Sequence, residues 1–312
     1  MNRIKQTIIL LVFVPEVILA DTIVVDLSGS GDYTTIGAAI SAASNNDTIQ
    51  IKAGTYLEPI ENSKSLTLIG SGMGSTIIYS GSDGTFKHYS GSLTLIGIKI
   101  QSTGKFAFVI QSGSATIIHC EFETTRDDGY VGLWAYANTS VTVYNSVFKN
   151  NGRGIDHSGS GGTHKVYNSI FYDNMYGFHN HNTATSEIYN SIFYSNKYGL
   201  LAYGTVLHVY NCYFGNSTQD IAQGSLALGE NTNDPQFVNA PTSWAIKTSS
   251  ELIDAGNPAA TNNDPDGSRN DIGIYGGPKS ISSGPAITAL SISSASVVQG
   301  TSVTITATAK SK

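Results

Sequence analysis

Aromatic, imidazole and carboxylate side chains recur in the middle of the chain at a spacing that could bring them onto one surface. Four glycines return every 22 or 23 residues, at Gly132, Gly154, Gly177 and Gly199. The second residue after each glycine is Trp134, Asp156, His179 or Leu201, and the fourth is Tyr136, Ser158, His181 or Tyr203. Because side chains alternate along a strand, both columns should point outward on the same face.

These side chains suit the recognition of sugars. Aromatic rings offer flat apolar faces to sugar rings, while carboxylates and imidazoles bond hydroxyl groups or move protons. Asp156 and His179 lie in adjacent repeats and could form an acid–base pair, with Arg153 just before the strand. The predicted catalytic residues are Asp156, His179 and Arg153. The predicted substrate-binding residues are Trp134, Tyr136, His181, Tyr203 and Arg126, the last in a projecting loop.

Other interpretations of these columns stay open. Exposed histidine, aspartate and tyrosine side chains on a repetitive surface are commonly solvated, because a fold does not imply a function. His179 and His181, two residues apart on one strand, could instead bind zinc. A lyase mechanism would also need a strong base and a cation for the uronate, and few arginines could serve: beyond residue 20 they are Arg126, Arg153 and Arg269.

A separate acidic group lies further along the chain, at Asp254, Asp264, Asp266 and Asp271. Carboxylate oxygens are the ligands that calcium prefers, so Asp264, Asp266 and Asp271 are predicted to hold a structural calcium ion. The EF-hand pattern is not met beyond Asp264–Gly267, and aspartate is also common in turns, which is the alternative.

The elements that must position these residues are written as a repeat. One phrase occurs four times, with asparagines 23, 22 and 21 residues apart, as Tyr144–Phe148, Tyr167–Phe171, Tyr189–Phe193 and Tyr210–Phe214. Units of this length cannot bury their own apolar face and must stack on each other. They alternate and are rich in Tyr, Val, Ile and Thr, so we predict an all-β fold, a right-handed parallel β-helix (a solenoid) with about three strands per turn. A β-sandwich is the alternative.

Three columns of the repeat have predicted structural roles. Asn145, Asn168 and Asn190, together with Asn211, should adopt the left-handed bend and bond each other through their amides. The tyrosines that precede them should form a stacked ladder, Tyr144, Tyr167, Tyr189 and Tyr210. Cys120 and Cys212 are assigned to one serine column about 19 Å apart at ~4.8 Å per turn, which is too far for a disulfide, so we expect two buried free thiols.

The chain divides into four parts. Residues 1–20 carry two basic residues, an apolar run and a final alanine, which predicts a signal peptide, with an uncleaved anchor as the alternative. Residues 21–275 form the predicted β-helix, and Thr35 should cap a short helix from Ile36 to Ala43 that covers its first turn. Residues 276–285 are a predicted linker. Residues 286–312 are the predicted start of an incomplete Ig-like module, a truncated β tail that would continue in a longer chain.

Charge and composition limit the partners. The 312 residues are 13% charged with a net charge of −6, which argues against nucleic-acid binding. Low charge with many Asn, Ser, Thr and Tyr residues is typical of β-rich proteins that work outside the cell. We therefore expect a monomer that is secreted or held at the cell surface.

Two segments resemble known families. The run from Gly29 to Tyr56, with Gly29–Ile36, Ala38–Ile40 and Asp47–Tyr56 as its matching parts, resembles the opening of pectin methylesterases and related pectin-lyase-like proteins. The run from Asp264 to Gly276 resembles the C-terminal segment of bacterial secreted β-helix proteins, including those called choice-of-anchor proteins. The first resemblance implies the N-terminal cap of the fold. No catalytic residue carries over, because the methylesterase segments with the Asp pair, Gln and Arg are missing from this sequence.

Two functions remain under comparison. The first is a secreted polysaccharide-binding protein, extended to a carbohydrate-active enzyme of the lyase or hydrolase type that acts on an acidic glycan with calcium as its cofactor. The second is a non-catalytic cell-surface or adhesion scaffold, whose solenoid would be a spacer that presents loops. Whether the face around Trp134, Asp156 and His179 forms a groove or a flat wall distinguishes the two.

Overall fold

Three parallel sheets wind into a right-handed β-helix of about nine turns, as the sequence predicts. The computed structural model describes residues 20–180, 185–218, 225–280, 286–292 and 305–310. Nearly all of the predicted signal peptide lies outside these ranges.

Each turn contributes one strand to each sheet. Sheet A contains Thr22–Val25, Thr48–Ile51, Leu66–Gly70, Ser92–Ile96, Ser114–Ile118, Ser140–Tyr144, Thr163–Tyr167, Thr185–Tyr189 and Val206–Val209. Sheet B contains Gly54–Tyr56, Thr76–Ser80, Lys99–Ser102, Glu121–Glu123, Val147–Lys149, Ile170–Tyr172, Ile192–Tyr194 and Cys212–Phe214. Sheet C contains Ile60–Asn62, Phe86–His88, Phe106–Ile110, Val131–Tyr136, Arg153–Ser158, Tyr176–Asn180 and Tyr198–Ala202.

The interior is filled by aromatic rings that repeat from turn to turn on sheet B. Phe148 stacks on Phe122 with ring centroids 4.9 Å apart, and Phe171 stacks on Phe193 at 4.7 Å. Tyr213 continues the column at 4.9 Å from Phe193. All five rings are fully buried, so each turn shields the apolar surface of its neighbour.

The predicted short helix closes the N-terminal end. It runs from Ile36 to Ala42, and the Thr35 hydroxyl accepts a hydrogen bond from the Ala38 amide. Glu58 accepts from the first helical amides, and the Lys64 ammonium donates to the carbonyls at the other end. Both ends of the helix dipole are therefore neutralised, and the apolar side lies on the first turn.

The predicted left-handed asparagines adopt that conformation, but their amides do not stack on each other. Asn145, Asn168 and Asn190 have φ values of 47°, 49° and 52°. Their side chains hold residues 252–280, here called the C-terminal segment. The Asn145 amide donates to the Ile274 and Gly276 carbonyls, and Asn168 donates to Asn270. The prediction of an amide stack at this column was therefore wrong.

The amide ladder stands one corner further on, at Asn151, Asn174, Asn196 and Asn216. Each amide nitrogen donates to the Oδ1 atom of the next asparagine at 2.9–3.0 Å, and the same oxygen accepts from the backbone amide of the asparagine above it. Asn151, Asn174 and Asn196 are fully buried. The ladder thus satisfies polar groups where the chain turns from sheet B to sheet C.

The fourth copy of the repeat is one residue shorter than the sequence alignment assumes. Val209 pairs with Tyr189, and Cys212 pairs with Ile192. Tyr210 therefore takes the left-handed position of Asn190, with φ 56°, and does not extend the tyrosine ladder. Cys212 likewise leaves the serine column to which it was assigned, because one residue is missing from the preceding turn.

Both cysteines are free and buried, as predicted. Cys120 does lie in the serine column, where its backbone amide donates to the Ser146 hydroxyl. Burial raises the pKa of both thiols to about 12, so neither is a ready nucleophile.

The C-terminal segment runs back along the outside of the β-helix, from Asn190 to the turn that contains His119. Its apolar side chains Leu252, Ile272 and Ile274 form a second core with outward residues of sheet B such as Ile170 and Ile192. Residues 276–279, assigned to a linker by the sequence, are part of this contact, since the Lys279 carbonyl lies 2.7 Å from His119 Nε2.

Two small antiparallel pairs and one 3-10 turn complete the described elements. They are Phe237–Asn239 with Ser243–Ile246, Ala286–Ile292 with Ile305–Lys310, and the turn Ala260–Asn262. The pair at residues 286–310 falls in the predicted Ig-like tail, and its identity with an Ig-like module stays a prediction.

Two histidines stack inside the solenoid near its centre. The ring centroids of His157 and His164 are 3.8 Å apart, and both residues are almost fully buried. Neither ring nitrogen of His157 has a hydrogen-bond partner among the described residues. Burial lowers the pKa of His157, and burial together with the neighbouring His157 lowers the pKa of His164 to about 3.

We expect this pair to make the fold acid-sensitive. An imidazole whose folded pKa lies below its ordinary value of 6.5 binds a proton more readily in the unfolded chain. The free energy of unfolding should therefore fall as the pH drops below 6.5, by about 1.4 kcal/mol per pH unit for each such group. Urea unfolding of His164→Val at several pH values should show a shallower slope between pH 6.5 and about 5. An unchanged slope would contradict the assignment.

The asparagine ladder should carry a large share of the stability. Asn174→Ala would remove the donor to the Phe148 carbonyl and to Asn196 and leave buried partners unsatisfied. We expect a loss of about 3 kcal/mol in the free energy of unfolding, measured by urea titration. Asn239→Ala is the matched control, because that side chain is exposed, and it should change stability by less than about 0.5 kcal/mol.

Candidate functional site

The outer face of sheet C is shaped by a bulge at the repeated glycines. Arg153 pairs with Tyr176 and Ile155 with Phe178, while the glycine between them makes no ladder pair. A Cβ atom on Gly154 would lie 2.4 Å from the Gly177 carbonyl oxygen and 3.0 Å from the Phe171 ring. Only glycine fits there, and the bulge lets Arg153 share the outer face with the residue three positions later.

The predicted columns are present in the predicted register. Trp134 pairs with Asp156, Asp156 with His179, and His179 with Leu201. The residues directly after the glycines, Leu133, Ile155, Phe178 and Leu200, are buried in the interior. Tyr136 and Tyr203 are exposed, by 37% and 72%. His181 lies outside the described residues, so zinc binding by His179 and His181 stays a prediction.

The three predicted catalytic residues meet in one ion network. Arg153 Nη1 lies 2.7 Å from Asp156 Oδ2, and His179 Nδ1 lies 3.3 Å from Asp156 Oδ1. Arg153 Nη2 also reaches Asp128 Oδ1 at 2.9 Å. Burial alone would raise the pKa of Asp156, but hydrogen bonds from His179 and Arg153 bring it below its ordinary value. The carboxylate is therefore ionised at neutral pH, and it orients the imidazole.

The network is far less accessible than an outward column suggests. Asp156 and His179 expose only 2% and 3% of their surface, because neighbouring side chains cover them. Tyr176 lies over His179 with centroids 5.2 Å apart, and the ring of Tyr203 meets His179 edge-on at 6.1 Å. The arrangement matches a base held by an orienting carboxylate, placed below an aromatic surface.

Aromatic rings surround this network. Trp134 stacks between Phe106 at 4.3 Å and Tyr136 at 4.7 Å, and its indole N–H donates to the Ser158 hydroxyl. On the other side, Tyr176 stacks on Tyr198 at 4.9 Å.

Sequence reasoning missed the three rings that stand one turn position before the bulge, Phe106, Tyr176 and Tyr198. The signal was available, since Arg153, Tyr176 and Tyr198 each directly precede a column glycine. Arg153 lies over Tyr176, with its guanidinium carbon 6.0 Å from the ring centroid. We call the outer surface formed by these rings and the ion network the sheet C face.

Arg126 does not join the sheet C face. Its Nε atom lies 3.1 Å from Asp173 Oδ1 at the corner between sheets B and C, and both side chains are about two-fifths exposed. The projecting loop still contributes to the face, but through Asp128 rather than through Arg126.

The acidic group in the C-terminal segment is bonded to its own backbone. The Asp254 amide donates to Asp271 at 2.7 Å, the Asp271 amide donates to Asp264, and Asp266 accepts from Ser268. Burial raises the pKa of Asp264 to about 6. Over the residues that the structure describes, no three His, Cys, Asp or Glu side chains converge as metal ligands. Calcium binding at Asp264, Asp266 and Asp271 stays a prediction.

The ion network should stabilise the fold through its buried member. Asp156→Ala would leave Arg153 and His179 without their shared carboxylate, and we expect a loss of about 3 kcal/mol in the free energy of unfolding. Asp128→Ala is the matched control, because it removes the exposed partner of the same arginine and should cost less than about 1 kcal/mol. Equal losses in urea titrations of the two variants would contradict this account.

Comparison with known proteins agrees with this geometry. The family model described as "right handed beta helix region" matches residues 25–193. Pectinesterase 2 of Citrus sinensis is 36% identical over 148 residues, which cover 40% of this chain and 29% of that protein. Pectinesterase 2 of Arabidopsis thaliana is 41% identical over 91 residues, which cover 26% and 15%. The chain thus spans less than a third of the length of these curated relatives.

Among solved structures, pectate lyase Pel9A superposes with a TM-score of 0.54 at 15% identity, over 82% of this chain and 96% of that one. This likeness shows a shared fold, and it confirms the predicted pectin-lyase-like architecture. The family match covers more than half of the sequence, from the first strand to the seventh strand of sheet B. With three stacked parallel sheets and the residues that enforce their register, the chain belongs to the right-handed β-helix family.

Proposed function

We propose that this protein binds a pectin-type polysaccharide across the sheet C face. The observation that carries the proposal is the row of stacked rings beside a buried ion network, with Trp134 at its centre. Flat rings pack against sugar rings, and the polar tips of tyrosine bond hydroxyl groups. The exposed Tyr136 and Tyr203 extend the same surface along the fourth column.

The comparisons support the class of ligand. The relatives in sequence are called pectinesterases, and the structural neighbour is called a pectate lyase. An extracellular location and a monomeric state belong to the same proposal, because a polysaccharide of this kind is met outside the cell. In the described part of the chain, no helix has the length and apolar character needed to cross a membrane.

The charge of the face favours neutral sugar units over free uronates. Arg153 is the cation at its centre, and its charge is already shared by Asp156 and Asp128. A uronate carboxylate would have to compete with these two groups. The acidic glycan inferred from the sequence is therefore proposed here in its methyl-esterified, uncharged form.

Catalysis is a second candidate at the same place. Its support is the contact of 3.3 Å between His179 Nδ1 and Asp156, which resembles a general base with its orienting carboxylate. A substrate would reach the imidazole only if Tyr176 and Tyr203 moved aside, since both rings lie against it. The buried state of the pair fits a positioning role for Asp156 and His179 in binding.

Binding should depend on the central ring. We expect Trp134→Ala to weaken binding of highly methyl-esterified pectin roughly tenfold, the equivalent of about 1.4 kcal/mol of lost stacking. Tyr203→Ala should weaken it less, and Tyr275→Ala, an exposed tyrosine of the C-terminal segment, is the matched control. Affinity electrophoresis and calorimetry measure the effect, with unesterified polygalacturonate as the charged comparison and thermal unfolding as the check on folding.

The outcomes separate the candidate functions. Equal affinity of Trp134→Ala and the unaltered protein would place the binding site elsewhere. Absence of binding to either polymer would favour the non-catalytic scaffold. Release of methanol or of unsaturated sugar ends, lost in His179→Ala, would establish the enzyme.

A further inference from the structure

A cleft lies on another side of the solenoid, between sheet A and the C-terminal segment. One wall is the tyrosine column, Tyr144, Tyr167 and Tyr189. The opposite wall is formed by Asn257, Thr261, Asn262, Pro278 and Lys279. Two adjoining cavities of about 210 and 230 Å³ fill the space, and both are lined by Tyr167, Asn190 and Asn262. Together they reach the size at which clefts hold small ligands, roughly 300–1,000 Å³.

The tyrosine column presents uncommitted hydroxyl groups. Its rings stack face to face, with centroids 5.1 Å apart between Tyr144 and Tyr167 and 5.5 Å between Tyr167 and Tyr189. Within the described residues, none of the three hydroxyls makes a hydrogen bond to the protein, although each is only partly exposed. Burial raises the pKa of Tyr167 to about 12, so its hydroxyl keeps its proton and remains a donor.

The opposite wall also offers polar groups and is firmly held. Asn190 uses its Oδ1 atom to accept from the Asn257 amide at 2.8 Å. The Asn262 side chain lies on a short 3-10 turn, whose carbonyl accepts from the buried Asn270. The wall is anchored to the β-helix through Asn145 and Asn168, as described above. A cleft between two fixed walls loses little entropy when it takes up a ligand.

The lining is almost uncharged. Lys279 is the one charged residue that lines the two cavities within the described part of the chain. The nearby charges on the outer face of sheet A, Lys165 and Glu187, are paired with each other at 3.0 Å. A phosphate or a polyanion would find too few cations here, whereas a neutral molecule with several hydroxyl groups would find donors and acceptors on both walls.

We propose that this cleft binds a short, neutral oligosaccharide segment, as a second carbohydrate site separate from the sheet C face. The proposal rests on the proposed function only for the class of ligand, because its residues are entirely different. Ring edges and hydroxyls on one wall and asparagine amides on the other would bond a sugar from two sides. Two sites on one rigid solenoid would also let a single polymer gain affinity by engaging both.

The test uses variants that keep the rings. The triple variant Tyr144→Phe, Tyr167→Phe, Tyr189→Phe preserves the stack and removes only the hydroxyls. Calorimetry with a fully methyl-esterified galacturonan tetrasaccharide should show two binding events for the unaltered protein and one for the triple variant. Asn262→Ala, on the opposite wall, should weaken the same event roughly tenfold. The double variant Tyr172→Phe, Tyr194→Phe is the matched control, because this pair stacks on sheet B outside the cleft.

Each outcome bears on one site or the other. If the triple variant and Asn262→Ala bind the tetrasaccharide as the unaltered protein does, the cleft proposal is overturned. If Trp134→Ala removes one event and the triple variant removes the other, both sites stand. If only the triple variant loses binding, the cleft stands and the sheet C face falls. If the unaltered protein shows no binding event, both are overturned.

Discussion

The structure depends on exact turn-to-turn registry, because each turn of a β-helix can satisfy its buried groups only through the turns on either side. The asparagine ladder expresses this constraint most directly. Asn174 donates to one turn and accepts from the other, so a shift of one residue would strand polar atoms on both sides. The phenylalanine column sets the same registry in the interior with apolar contacts. Polar and apolar ladders thus enforce a single alignment, and the external faces inherit it.

The sheet C face is a consequence of that alignment. Because the glycine of each turn must pass close to the carbonyl of the next, the strand bulges at the same point in every turn. The bulge brings Arg153 next to Asp156 and brings Tyr176 next to His179. A charged network and an aromatic row are therefore produced by four glycines that have no chemistry of their own. The tyrosine column on sheet A arises in the same way, from in-register repetition of one residue type.

The fold and the columns after the glycines follow from the sequence, since strand alternation fixes which residues point in and which point out. Leu133 and Trp134 illustrate this rule, being inward and outward as predicted. The near-complete burial of Asp156 could not be predicted, because it depends on side chains from other turns and from the projecting loop. The role of Asn145 could not be predicted either, since its partners Ile274 and Gly276 are about 130 residues away. Tyr210 was misaligned because a one-residue deletion leaves its motif intact while it moves the register.

The path of the C-terminal segment has a mechanical consequence. The segment turns back at the last turns and leaves the solenoid beside His119, near its middle. Whatever follows residue 280 therefore begins at the flank of the rod and not at its end. A pull on that tail would load the contacts at His119, Asn145, Asn168 and Asn190 in shear, along the axis of the rod. Sheared contacts share a load, whereas contacts peeled one at a time do not, so the segment would act as a tether that holds the solenoid side-on to whatever carries the tail.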